Sequence, residues 1–138
     1  MHSSTYIGSG VATAVLLLIA VWFFFKRRPR KLNIKRFGEN WKSVQGLCRN
    51  PETWPKALID ADELLDKALK LRRMKGKTMG ERLVSAQRSF SDNDSVWFAH
   101  KLRKQIEDEK NPVKLDQNDV MEALVGIRKA LKDLGALE

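Results

Sequence analysis

Ile7 to Phe25, IGSGVATAVLLLIAVWFFF, constrains this chain more than any other stretch, and the cationic run KRRPRK at Lys26 to Lys31 closes it. From Met1 to Phe25 no side chain carries a charge apart from what His2 acquires. At a rise of ~1.5 Å per residue, about twenty helical residues reach ~30 Å, the thickness of a bilayer's hydrocarbon core. Ten of the fifteen residues Val11 to Phe25 are Leu, Ile, Val or Phe. At roughly −0.3 to −0.6 kcal/mol each, they favour insertion by about 3–6 kcal/mol. Thr13 is the one hydroxyl in that core and can bond its own helix backbone. The stretch predicts a transmembrane anchor over 7–25. A cleaved signal peptide would carry basic residues before its core and a small-residue cleavage site after it. Here the core ends in Trp22-Phe23-Phe24-Phe25 against a basic wall. A soluble core helix is seldom apolar on every face over such a length.

Orientation follows from the Lys/Arg bias near the ends of the span. The flank 1–6 has neither residue, whereas the collar 26–36 holds Lys26, Arg27, Arg28, Arg30, Lys31, Lys35 and Arg36 with no acid. An external tail and a cytoplasmic C-terminal part are expected. Gly8 with Ala12, and Gly10 with Ala14, have the small-xxx-small spacing that lets two helices approach closely.

The 138 residues carry a net charge of +9, and its placement matters more than its size. Seven of the 26 basic residues lie in the collar, leaving 19 against 17 acids elsewhere. The excess therefore points to the anionic inner leaflet as a partner, at ~1 kcal/mol per cation near the surface. Lys26, Arg27, Arg28, Arg30 and Lys31 are the expected membrane-surface residues. The single cysteine, Cys48, excludes a disulfide within the chain and reads as a buried or half-buried thiol.

From Phe37 onward 102 residues remain, enough for one small domain with its own core. Its periodicity is helical throughout, so the expected class is all-α, a four- or five-helix bundle over 37–138. A first helix is expected from about Glu39 to Arg49, with Trp41 and Val44 inward, broken by Asn50-Pro51. The next, about Thr53 to Met74, spaces Trp54, Leu58, Ala61, Leu65 and Ala68 in steps of 4-3-4-3 and should end at Gly76. Thr78-Met79-Gly80-Glu81 has the form of a capping box and starts a third helix with Leu83, Ala86 and Phe90 inward. A fourth follows from Val96 to about Lys110, with Ala99, Leu102 and Ile106 inward and Asn111-Pro112 as its stop. Asp116 caps the last, where Val120, Leu124, Ile127, Leu131 and Leu134 step 4-3-4-3 before Gly135.

Catalytic patterns are thin. The only histidine of the domain is His100, which rules out a zincin pair at i and i+4. No serine is singled out for a triad, and no Gly-rich phosphate loop is present. No cofactor or metal is expected. Asp60, Asp62, Glu63 and Asp66 crowd one helix, as a carboxylate cation site or, more simply, as a solvated face with ion pairs such as Asp66 with Lys70 or Asp62 with Lys67. Lys67, Lys70, Arg72, Arg73, Lys75 and Lys77 cluster about the following turn. They form either a grip on phosphates of RNA or lipid, or a solvated helix end.

Three segments carry a resemblance. They are Ala61-Asp62-Glu63-Leu64-Leu65-Asp66, the turn Gly76-Lys77-Thr78-Met79-Gly80-Glu81-Arg82-Leu83, and Trp97-Phe98-Ala99-His100-Lys101-Leu102-Arg103. Together they resemble small bacterial helical domains of the HEPN type, over about Trp54 to Leu137. The resemblance implies a bundle that dimerises through the helix bearing an Arg motif. In active members it also implies metal-independent RNA cleavage by an Arg followed by Asn and, about five positions on, a His. Arg103 stands at the arginine position, but Lys104 replaces the Asn and Asp108 the His. A carboxylate of pKa ~4 is a poor proton shuttle at neutral pH.

The expected function is thus a non-catalytic, membrane-held interaction module that binds a protein partner or a second copy, with Trp97, His100 and Arg103 at the interface. The enzyme alternative is an RNase using Arg103 with His100 or Asp108. A nucleic-acid or anionic-lipid binder working through Lys67 to Lys77 is the other alternative. Arg103 is further expected to pair with an acid such as Asp62 or Asp66.

Overall fold

The structure is a computed structural model that describes residues 3–28, 30–108, 110 and 113–138, with side chains from Gly8 onward except that of Arg27. Met1, His2 and the expected helix stop at Asn111-Pro112 lie outside the described residues. Those described are helical, without strands: α1 (Ser3–Arg27), α2 (Ile34–Leu47), a 3-10 turn (Pro51–Thr53), α3 (Trp54–Leu71), α4 (Met79–Ser85), α5 (Asn93–Glu107) and α6 (Gln117–Asp133).

Helix α1 holds a span over Gly8–Lys26 that is long and apolar enough to cross a membrane, and none of it is buried against the bundle. The Thr13 hydroxyl donates to Ser9 O at 2.8 Å, so the one hydroxyl of the core is satisfied within the helix. At the C-terminal end of the span Lys26 Nζ lies 4.8 Å from the Trp22 ring centroid, a cation–π contact.

Helix α3 is the centre of the bundle and packs on α2, α4, α5 and α6. Its stripe is buried as the spacing requires except at Trp54, which is half-buried: Leu58, Ala61, Leu65 and Ala68 are fully enclosed, and Leu64 and Leu69 widen the face. The α6 stripe of Val120, Leu124, Ile127, Leu131 and Leu134 closes the core from the other side. Helices α5 and α6 pack closely enough that a Cβ added to Gly126 would lie 2.7 Å from Ser95 Cβ. Leu83, Ala86 and Phe90 are inward as expected, although α4 itself ends at Ser85 and leaves Phe90 in the following loop. Cys48 is half-buried; its thiol donates to Val44 O at 3.2 Å, and burial pushes its pKa up.

The caps explain the boundaries. Asn33 accepts from Arg36 N, Asp92 from Ser95 N and Asp116 from Asn118 N, each satisfying an orphan N–H of a first turn. Asp92 moves the start of α5 to Asn93, three residues before the expected Val96, and the helix ends at Glu107. The T-x-x-E cap forms at α4 with its second half shifted by one residue: Thr78 Oγ1 accepts from Glu81 N at 3.2 Å, and the Glu81 carboxylate accepts from the N–H of Lys77, the residue before the cap, at 2.6 Å. Gly135, at φ +81°, ends α6 with Ala136 N bonded to Leu131 O and Gly135 N to Lys132 O.

The end of α3 departs from expectation. The helix stops at Leu71, and Arg73, not Gly76, takes the left-handed position at φ 62°. Met74 N then bonds Leu69 O and Arg73 N bonds Lys70 O, the paired closure that a glycine usually provides. Gly76 is needed for a different reason: a Cβ there would meet Arg82 N and Glu81 Cβ at 2.7 Å.

The collar is joined to this same helix end. Arg30 N donates to Leu71 O at 3.3 Å, and Arg72 Nη1 donates to Arg30 O at 3.4 Å. Leu32 is already buried and α2 begins at Ile34, so the core recruits residues of the 26–36 segment.

Candidate functional site

Polar groups inside this apolar bundle gather where α5 crosses α3. Asp62 lies on the inner stripe of α3, between Leu58 and Leu65, and is fully buried (0% exposed). An isolated carboxylate there would be costly, so it must be matched by hydrogen bonds and charge. Two residues one turn apart on α5 supply them. His100 Nδ1 stands 3.0 Å from Asp62 Oδ2, and Arg103 Nη1 donates to the same oxygen at 3.1 Å. Arginine can only donate, so Oδ2 is an acceptor, and His100 meets it with its Nδ1–H.

Arg103 also reaches Glu63 Oε1 at 3.3 Å and Glu107 Oε1 at 2.9 Å, bridging the two helices with three carboxylates. Burial works to lower its pKa, but the hydrogen bonds and charges of Asp62 and Glu107 outweigh burial and raise it. The expected pairing of Arg103 with Asp62 is therefore present. The expectation that the α3 acids form a solvated face is corrected for Asp62 and Asp66, because both turn into the protein and serve as anchors for cations of other helices.

His100 is 5% exposed, and its Nε2, the atom that would exchange a proton with a substrate, is buried without a hydrogen-bond partner among the described residues. Trp97, half-buried, closes the site from the α4 side, with its ring 6.1 Å from the imidazole in a T-shaped contact. Of the expected trio, His100 points inward, while Trp97 and Arg103 keep an exposed edge. Asp108 is not brought to this cluster; it is exposed at the end of α5, where Oδ1 accepts from Lys110 N at 3.1 Å.

A second, part-buried pair escaped the sequence reading. Arg82 of α4 forks onto Asp66 of α3, Nε to Oδ1 at 2.7 Å and Nη2 to Oδ2 at 2.9 Å, and its Nη1 donates to Gly76 O at 3.0 Å. Burial works to raise the Asp66 pKa, but the hydrogen bond and charge of Arg82, with Lys70, outweigh it and hold the carboxyl low. Lys70 lies 3.4 Å from Asp66 Oδ2, as the i, i+4 spacing suggested. The fork is the geometry in which Arg recognises carboxylate best. It ties the turn 72–78, with its cations, rigidly to α3. Arg82 within the capping-box motif was the only available signal, and nothing in its spacing named Asp66.

Of the expected membrane-surface residues, Lys26, Arg28, Arg30 and Lys31 are exposed, and the Arg27 side chain lies outside those described. Elsewhere on the surface, Trp41, Val44 and Cys48 of the α2 side and Met121, Leu124 and Val125 of α6 line an apolar groove of about 310 Å³. Met121 and Val125 are 53% and 46% exposed there. Among the described residues no group of three His, Cys, Asp or Glu is placed to hold a metal. Comparison with known protein families, curated proteins and solved structures finds no match to this chain.

Proposed function

We propose that this chain is a single-pass membrane protein with its N-terminus outside, whose cytoplasmic helical bundle is a non-catalytic, HEPN-like interaction module. The observation that carries the reading is the Asp62–His100–Arg103 cluster. Both residues on which an Arg/His nuclease would depend are spent on one buried carboxylate, and the free imidazole nitrogen faces no solvent. A general acid–base group must come within hydrogen-bond reach of the proton it moves. These residues instead fix the crossing of α3 and α5.

The partner that anchoring favours is a second copy. Two copies held in one bilayer share orientation and are confined to a thin layer, which raises their effective concentration. The open flank at Gly8 and Gly10, where an added Cβ would meet nothing within 4 Å, and the apolar groove between α2 and α6 are the surfaces available to it.

The test combines two readouts on the full-length protein in native membranes. Short-range crosslinking should give a dimer that Met121→Asp with Val125→Asp weakens several-fold. Incubation of the purified protein with structured and unstructured RNA should give no turnover. Cleavage abolished by Arg103→Ala would instead establish the nuclease reading, and an uncrosslinked monomer at all surface densities would remove the second copy as the partner.

A further inference from the structure

The turn after α3 and the inner end of α1 are far apart in sequence but share one cleft. Phe23 and Lys26 of α1 and Arg73 and Lys75 of the turn line a space of about 560 Å³. We infer that this cleft is a site for the phosphate of an anionic phospholipid headgroup, gripped by Lys26, Arg73 and Lys75 with Phe23 against the glycerol and upper acyl chain. The inference rests on the anchoring proposed above.

Three observations support it. The first is depth. Lys26 is the last residue of the 19-residue apolar span, so it stands where hydrocarbon gives way to headgroups and phosphates lie. Phe23, one turn earlier, offers an apolar wall on the hydrocarbon side.

The second is uncompensated charge. Among the described residues Lys26, Arg73 and Lys75 form no ion pair, Lys26 having only its cation–π contact with Trp22, whereas Lys70 at the end of α3 pairs with Asp66 and Arg82 of α4 forks onto the same carboxylate. Three cations lining one cleft repel one another until an anion enters. A phosphate, with several acceptor oxygens, suits Arg and Lys donors arriving from different directions.

The third is preorganisation. The turn is held at three successive residues: Ser85 Oγ donates to Lys75 O at 2.6 Å, Arg82 Nη1 to Gly76 O at 3.0 Å, and Lys77 N to Glu81 Oε2 at 2.6 Å. The Arg30–Leu71 and Arg72–Arg30 hydrogen bonds fasten the collar to the same helix end, which brings the turn to α1. Arg73 is kept in a left-handed conformation at φ 62°, where a glycine would suit the backbone better but would bring no guanidinium. Ordering costs met during folding are not met again on binding. The chemistry favours lipid over RNA, because the one aromatic in the cleft sits on the membrane span, where a base cannot reach it to stack.

The test uses full-length protein in mild detergent, titrated with phosphatidylglycerol and phosphatidylcholine and followed by native mass spectrometry, with inorganic phosphate and an RNA oligonucleotide as competitors. Phosphatidylglycerol should bind in preference to phosphatidylcholine. Removing two cations by Arg73→Gln with Lys75→Gln should weaken it about 30-fold, at roughly fivefold per cation. Lys26→Gln, which leaves the bundle untouched, should weaken it roughly fivefold, and the charge-matched Lys104→Gln with Lys114→Gln should change little. No preference for the anionic lipid, or equal losses in the control variant, would overturn the site. Displacement of the lipid by inorganic phosphate alone, or by RNA, would overturn its assignment to lipid. Anchoring is scored separately, by co-flotation with pure phosphatidylcholine vesicles, where this site has no anionic ligand. Short-chain soluble phosphatidylglycerol reports on the site even for a protein that fails to float.

Discussion

Asp62 Oδ2 and Arg103 Nη1 stand 3.1 Å apart and join α3 to α5, and the same oxygen takes the His100 imidazole at 3.0 Å. One buried carboxylate therefore holds both Arg103 and His100. A pair of this kind adds little to stability against an apolar substitute, but removing the arginine leaves the Asp62 charge in a low-dielectric core with only the His100 imidazole to meet it.

Arg103→Met should accordingly destabilise the protein by about 3–5 kcal/mol, whereas adding Asp62→Leu to it should recover most of that loss. Thermal unfolding of the full-length protein in detergent reads both. A double variant melting no higher than Arg103→Met would show that the two side chains do not act as a unit.

The Asp66–Arg82 fork predicts a pH dependence. Its carboxyl is held below the ordinary value of 3.8, so the native state binds fewer protons there than the unfolded chain. The stabilisation is complete above pH 3.8 and is lost as pH falls through the lowered folded value. The stability gap between the natural protein and Asp66→Asn should be constant from pH 7 to about 4 and close below that. A gap that persists unchanged to pH 2 would contradict the assignment.

Much of this was legible because two long helices carry unbroken 4-3-4-3 stripes, and one face of Leu, Ile, Val and Ala has only one sensible orientation. The Thr78 capping box, the Asp116 cap and the Gly135 stop are local chemistry and could be read locally. Asp62 was half-legible: its place beside the stripe suggested an Arg103 partner, but an acid at a stripe edge looks the same whether it faces water or a crossing helix. The difference lies in α5, whose approach no local pattern reports. Arg73 was misjudged because Gly76 is the obvious stop signal, while the actual need for glycine there is the close approach of α4. Asp66 with Arg82 could not be read, since two charges sixteen residues apart across a turn leave no periodic trace.

The two turn residues have opposite expected effects. Arg73→Gly should raise stability by about 1 kcal/mol by relieving the left-handed backbone, while costing the basic cleft a cation. Gly76→Ala should lower it, because the new Cβ meets Arg82 N and Glu81 Cβ at 2.7 Å. Equal melting temperatures for the two variants would contradict this division of roles.

Gly126→Ala tests the α5–α6 crossing. The added methyl would lie 2.7 Å from Ser95 Cβ and 2.8 Å from its backbone carbon and oxygen, none of which can swing aside. Overpacking of this kind costs about 1–3 kcal/mol. Ser95→Gly in the same background would remove the Cβ contact but not the backbone one, so partial rescue is expected.

The proposed crossing of the bilayer by α1, with the bundle left in the cytoplasm, underlies the rest. Protease digestion of sealed right-side-out and inside-out membrane vesicles, read with an antibody to a tag after Glu138, tests it most directly. The tag should be protected in right-side-out vesicles and lost in inside-out ones, with both fractions resisting alkaline extraction. A tag digested in right-side-out vesicles, or a chain released by alkali, would contradict it.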